Sequence, residues 1–298
     1  MKNKFLFIGL AALFCSCNET PVDEPIVPPV DQEKIPISLS TDISTKVTDD
    51  SYEAGDQIGV YIVNYNNGMP EQLAVSGNHL DNTMYTYDGN TWETNREVYW
   101  KDATTPADFY CYYPYVSSVT NVNDLKISVQ TDQSDMTAYK SSDFLWGKAE
   151  NQKPSSKPVS ITTRHKMSNI LISLRPGKGY TEDELSAENI SVVITGIQTD
   201  ASLNLATGAV TAEGNQNDII PMKDNGSWKA LVVPQDINNR DLINVTVGET
   251  LYTLKQTVSF QSGKQHLCTL TVNKISEGIN IGIEGWETDD TDFGGTLE

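Results

Sequence analysis

The chain has 298 residues, with 21 lysines and arginines against 40 aspartates and glutamates, a formal charge of −19. A chain this acidic repels phosphate backbones, which excludes nonspecific nucleic-acid binding. Its four cysteines are too few for a disulfide-stapled scaffold, and the length suffices for one large or two ordinary domains.

The first element, Met1 to Cys17 (MKNKFLFIGLAALFCSC), carries two lysines, an apolar run from Phe5 to Phe14, and then small residues. That is the pattern of a signal peptide, too short and wrongly flanked for a transmembrane anchor. Within it Leu13-Phe14-Cys15-Ser16-Cys17 is similar to a lipobox, which makes Cys17 the lipid acceptor. The alternative is a plain secretory signal cleaved nearby. Its removal leaves 19 basic against 40 acidic residues, about −21. No later apolar run reaches spanning length, so the mature chain is expected outside the membrane, held at most by its lipid.

Residues 18–34 follow as a tether. The stretch from Asn18 to Glu33 (NETPVDEPIVPPVDQE) is rich in proline and acid and has no means of burying a core. Period-two alternation then predicts many short strands. They are Ile35 to Leu39, Ile58 to Val63, Leu125 to Val129 and Ile170 to Leu174. A second series runs Ile190 to Ile194, Leu242 to Val247, Leu251 to Val258, Leu267 to Val272 and Ile279 to Ile283. Turn signals separate them, among them Asn66-Asn67-Gly68, Asp88-Gly89-Asn90, Pro176-Gly177-Lys178-Gly179 and Asn225-Gly226. Only Thr181 to Glu188 reads as a helix, opened by a capping box from Thr181 to Glu184. The expected fold is therefore all-β, two β-sandwiches in tandem, residues 35–177 and 178–298, divided at the Pro176–Gly179 break.

Catalytic signatures are missing. His79, His165 and His266 are far apart and none is paired at metal spacing, so structural or surface roles are expected. The carboxylates Asp49-Asp50, Asp183-Glu184 and Asp289-Asp290-x-Asp292 lie in polar runs, which suits a solvated face better than an acid/base pair. Neither enzyme activity nor a cofactor is expected. Cys111 and Cys268 lie in apolar strand-like runs and read as two buried thiols, which pair only if the fold brings them together. Asp108 to Tyr115 (DFYCYYPY) holds five aromatics in seven residues, with Trp92, Tyr99 and Trp100 upstream. Strand alternation would bury about half of such a run. The rival reading is an exposed platform of Trp92, Trp100 or Tyr113 on a monomeric glycan-binding lipoprotein.

Several of these stretches, in order, resemble the fimbrillin (type V pilin-like) family. Glu53-x-Gly55-Asp56-x-Ile58-Gly59-Val60-Tyr61 is similar to its "GD-x-IGVY" signature. Val98-Tyr99-Trp100 with Ala107 to Tyr115 is similar to its "YW…ADFYAYYPY" block. Ser142 to Trp146, His165 to Ile170, Leu203-Asn204-Leu205-x-x-Gly208 and Gly263 to His266 match later elements. The resemblance implies two transthyretin-like Greek-key β-sandwiches, exported as a surface lipoprotein of the outer membrane and assembled into a fimbria with an adhesive role. Its partners would be other pilin subunits, a trypsin-like processing protease and a host or bacterial surface ligand or glycan. The family's protease cuts after a basic residue following the first strand and releases that strand. Here that places processing at Lys46–Val47, where Lys-Val stands in place of the common Arg-Ala. The released strand would carry Ile35, Ile37 and Leu39. The donor strand of a neighbouring subunit would carry the residues that correspond to Ile279, Ile281 and Ile283. Both segments present three aliphatics at two-residue spacing, suited to plugging pockets along one sheet edge. The alternative within the class is a tip or accessory adhesin, whose C-terminus stays folded on its own subunit.

Overall fold

The computed structural model describes residues 34–44, 51–275 and 278–292, and of residues 275, 278–280 and 282–292 the backbone alone. Strands β1 to β6 are Leu39–Ile43, Gln57–Asn66, Met69–Pro70, Leu80–Tyr87, Trp92–Glu93 and Ala107–Tyr113. Then come β7 Leu125–Ser128, helix α1 Met136–Ser141, β8 Leu145–Gln152, β9 Val159–His165, β10 Ser168–Pro176 and helix α2 Glu182–Ser186. The chain continues through β11 Ile190–Leu203, β12 Val210–Ile219, β13 Met222–Asp224 and β14 Ser227–Val232. It ends with β15 Asp236–Val247, β16 Thr250–Ser259, β17 Lys264–Ile275 and β18 Gly278–Asp292. The fold is all-β, in three sheets. An eight-stranded sheet runs β1-β9-β8-β6-β2-β4-β5, with β3 paired to β2. Two five-stranded sheets run β13-β14-β10-β17-β18 and β12-β11-β15-β16, the latter with β7 paired to β11.

Local chemistry accounts for the turns. Asn67 and Gly68 between β2 and β3, and Asn225 and Gly226 between β13 and β14, all have positive φ, the pair of conformations a tight hairpin of matching twist requires. Thr181 and Glu184 form the expected reciprocal capping box at the start of α2. The second helix, α1, has no such box; Asp135 caps it by accepting from the Ala138 N–H at 2.9 Å.

The aromatic run behaves differently from the alternation expected. Every residue from Ala107 to Tyr112 is buried, as are Ile58 to Asn64 in the neighbouring β2. The reason is that the middle of the eight-stranded sheet is covered on both faces. Ile58, Val60, Ile62, Phe109 and Cys111 face a smaller core that includes Trp92 and Trp100. Tyr61, Val63, Tyr110 and Tyr112 face a larger core shared with the two five-stranded sheets. A strand buried on both sides reads as a continuous apolar run. Gly59 is the narrow point of this wall. It stands opposite Tyr112 in the ladder, and a Cβ there would lie 2.2 Å from the Tyr112 ring. The ring is held from behind, because the Tyr112 hydroxyl donates to Asn82 Oδ1 at 2.7 Å.

One charge sits inside the wall. Asp108 is 1% exposed and accepts from the Tyr65 hydroxyl at 3.0 Å and the Asn151 N–H at 2.8 Å, while Lys148 Nζ lies 3.0 Å from its other oxygen. Burial works against the Lys148 ammonium, but its bonds to Glu150 and Asp108 outweigh it and raise the pKa.

Several segments singled out in the sequence meet where the sheets adjoin. Trp146 of β8 donates through Nε1 to the Leu205 carbonyl at 2.9 Å, and its ring crowds Gly208, where a Cβ would lie 2.4 Å from it. Gly263 N–H donates to the Met167 carbonyl at 3.0 Å, and the Ser168 hydroxyl donates to the Gln261 carbonyl. Both β7 and β10 precede residue 178, yet β7 pairs with β11, and β10 pairs with β14 and β17. The turn at Pro176–Gly179 thus follows a strand already built into a C-terminal sheet.

Two stability predictions follow from these contacts. Gly59→Ala should lower stability by about 1–3 kcal/mol, the usual cost of overpacking, measured as a reduced urea midpoint with unchanged slope. His266 is fully buried, stacks edge-on against Phe260 and has its pKa pushed down to about 4 by burial. The unfolded chain protonates this imidazole near its ordinary value of 6.5 while the folded chain does not. Stability contributed by the neutral ring should therefore be lost as pH falls from 6.5 towards about 4, and His266→Gln should flatten that part of the pH–stability curve.

Candidate functional site

The two ends of the described chain form two sheet edges. At the first, Lys34 to Ser44 changes partner midway. Trp100 N–H donates to the Ile35 carbonyl at 2.9 Å and Ile37 N–H to the Val98 carbonyl at 2.8 Å, around an isolated bridge between Pro36 and Tyr99. Pro36 holds the position in this bridge whose N–H would point away from Tyr99, so its missing donor costs the pairing nothing. The regular strand starts later than the alternation suggests, at Leu39, where the chain passes to β9. From there β1 runs parallel to β9, pairing Leu39 with Val159 through Ile43 with Thr163. Ile37 and Leu39 are buried in the smaller core, Ile35 packs against its margin, and Pro36 and Ser38 are exposed. The three aliphatics of the predicted strand therefore share one face.

In the ladders, Val159 to Thr162 of β9 pair with β1 alone, because β8 reaches only Thr163 to His165. Side chains seal the end of the seat. Trp92 Nε1–H donates to Thr41 Oγ1 at 2.8 Å, and the Thr163 hydroxyl donates to the Asp42 carbonyl at 3.3 Å. The Tyr52 hydroxyl shares a 2.9 Å hydrogen bond with Thr163 Oγ1, and its ring stands edge-on to Trp92 at 5.0 Å. Burial raises the Tyr52 phenol well above its ordinary value. Tyr52 and the Trp92–Thr41 bond had no signal in the sequence. Thr41 is a polar residue at the next alternate position after Leu39, and only the fold brings Trp92 to it.

Cys17, Lys46 and Val47 lie outside the described residues.

The second edge is β18, antiparallel to β17. Ile279, Ile281 and Ile283 register against Lys274, Val272 and Leu270. Ile281 is buried in the larger core; the side chains of Ile279 and Ile283 lie outside the description. The two edges thus belong to different sheets and feed different cores.

The other sequence candidates resolve into packing. Trp92 and Trp100 are 7% and 5% exposed, and the half-buried Tyr113 packs on Tyr52 and donates to Asp56 Oδ1 at 3.2 Å. These three residues form no exposed platform, because both tryptophans fill the smaller core. His165 Nδ1 lies 2.9 Å from Asp143, and His79 Nε2 lies 2.7 Å from the Tyr99 carbonyl. Cys111 and Cys268 are free and buried in different cores, each thiol pushed up to about 12 by burial. Among the described residues no group of three or more potential ligands is placed to hold a metal ion, and no helix is long and apolar enough to cross a membrane.

Comparison with known proteins agrees with this architecture. A Bacteroides uniformis protein named as a fimbrium subunit, Fim1C, is 25% identical over 305 residues, covering 96% of each chain. A Bacteroides ovatus protein named as a fimbrium tip subunit is 27% identical over 156 residues, which is 46% of this chain and 27% of that one. A cell adhesion protein of Bacteroides ovatus has the same fold, with a TM-score of 0.69 at 18% identity over 86% of this chain and 98% of that one. The model of the fimbrillin-like family matches residues 45–286. The chain belongs to the fimbrillin-like family.

Proposed function

We propose that this chain is a structural subunit of a cell-surface fimbria with a role in adhesion rather than catalysis. In this reading it is exported as a lipoprotein precursor acylated at Cys17 and anchored in the outer membrane. It is then cut between Lys46 and Val47 by a trypsin-like protease and joined to neighbouring pilin subunits by strand exchange. Its sheets are read as two tandem transthyretin-like Greek-key sandwiches. A surface ligand or glycan is the expected target of adhesion.

The observation that carries the reading is the seat of β1. It is an edge strand, alternate aliphatics are inserted along it and the residues leading into it, and in sequence Lys46 follows its described end, Ser44, by two residues. An edge strand leaves without breaking a central ladder. Ile37 and Leu39 together bury on the order of 3–6 kcal/mol of apolar side chain, a large share of a domain's net stability. The vacated groove, with Val159 to Thr162 unpaired, would then favour any strand able to refill it. In the same reading Ile279, Ile281 and Ile283 form the strand donated to a neighbour. The name of the Fim1C relative from Bacteroides uniformis supports the fimbrial assignment.

A second reading, a tip or accessory adhesin, is favoured by a different observation. β18 pairs with β17 of its own chain and Ile281 is buried there, so the C-terminal strand already has a seat.

Two measurements separate these readings. Amino-terminal sequencing of the subunit recovered from sheared surface fibres should start at Val47; a start at lipidated Cys17 in assembled fibres would remove the processing step. The variant Ile281→Asp with Ile283→Asp should reach the cell surface and be missing from the fibre shaft. Shaft incorporation at the wild-type level would instead rule out a donor role for β18 and leave the tip reading.

A further inference from the structure

We infer that the groove occupied by β1 is matched to a strand reading aliphatic-x-aliphatic-x-hydroxyl, supplied by a subunit other than a second copy of this chain. The inference rests on the strand release proposed above and names the partner that release would admit.

Ile37, Leu39 and Thr41 follow one another at alternate positions, the first two in the smaller core. Thr41 is there to accept the Trp92 indole N–H at 2.8 Å. Trp92 is 7% exposed and enclosed by Tyr52 and Tyr87, with ring centroids 5.0 and 5.1 Å away. A strand that vacates the seat takes this acceptor with it. The bond between Thr163 and the Asp42 carbonyl can be remade by the backbone of any occupant. The Trp92 contact cannot, because it needs a side-chain oxygen at one position. An enclosed indole N–H left without an acceptor disfavours the complex.

This chain's own C-terminal segment lacks that oxygen in the direction β1 runs. Two registers place its aliphatics at the positions of Ile37 and Leu39. With Ile279 and Ile281 there, Ile283 falls at the Thr41 position; with Ile281 and Ile283 there, Gly285 does. Neither side chain can accept from Trp92. The groove therefore discriminates against self-donation and favours a strand with serine or threonine two residues after its second aliphatic.

The test uses the full mature chain cut with trypsin, which should free the segment Ile35 to Lys46, since Lys34 and Lys46 bound it with no basic residue between. A fluorescein-labelled synthetic peptide of that segment is titrated onto the cut protein. It is then competed with Thr41→Val and Thr41→Ser versions and with a peptide of Gly278 to Glu287. The native and Thr41→Ser peptides should bind alike, and the Thr41→Val and C-terminal peptides about tenfold or more weakly. Trp92→Phe protein, which keeps an aromatic ring, though a smaller one, and removes the N–H, should bind the native and Thr41→Val peptides within about twofold of each other. Equal binding of native and Thr41→Val peptides to the unaltered protein, or tight binding of the C-terminal peptide, would overturn the selectivity. Failure of trypsin to cut at Lys46, or of the native peptide to bind at all, would overturn strand release itself and the inference with it.

Discussion

Tyr61 and Ile62 are consecutive residues of one strand and lie in different cores. That arrangement makes β2, with β6 beside it, a wall that two hydrophobic interiors share. Its tolerances are correspondingly tight. The Tyr112 ring occupies the space above Gly59, and the carboxylate inside the wall is held by Tyr65, Asn151 and Lys148. Strands paired on both sides and packed on both faces cannot be exchanged without dismantling both cores. Whatever moves in this protein has to move at the margins.

The margins are unequal. β1 is short and shares its ladder with one strand, and it contributes Leu39 to the smaller core, as the residues leading into it contribute Ile37. β18 is long, pairs along nearly the whole of β17, and contributes Ile281 to the larger one. The wall separates the core that β1 helps close from the core that β18 helps close, so the release proposed for β1 would leave the larger core intact.

Much of this was legible in the sequence, and for physical reasons. Alternating aliphatics marked the segments around Ile58, Ile170, Leu267 and Ile279, because a sheet face sorts side chains by period two. The capping box at Thr181 and the Asn-Gly turns were legible because their chemistry is local. What stayed hidden depends on distant partners. The strand β12 is mostly polar and exposed, and its identity as a strand comes from pairing with β11. The aromatic run at Phe109 read as half-buried because nothing local reveals that a second layer covers the sheet. In the seat of β1, the aliphatic positions Ile35, Ile37 and Leu39 were readable, whereas the hydroxyl of Thr41 acquires meaning only when Trp92, 51 residues away, arrives beside it.

The parallel sense of β1 against β9 carries one more implication. In the proposed exchange, a replacement strand that kept this sense would enter with its amino and carboxyl ends fixed relative to the host sheet, and it would come from a surface of its own subunit unlike the one it enters. Such a junction is heterologous: it does not satisfy both subunits at once, as a two-fold contact does. Each added subunit would leave the chain with one end unfilled, so growth has a direction and stops only when a unit arrives with no strand to give.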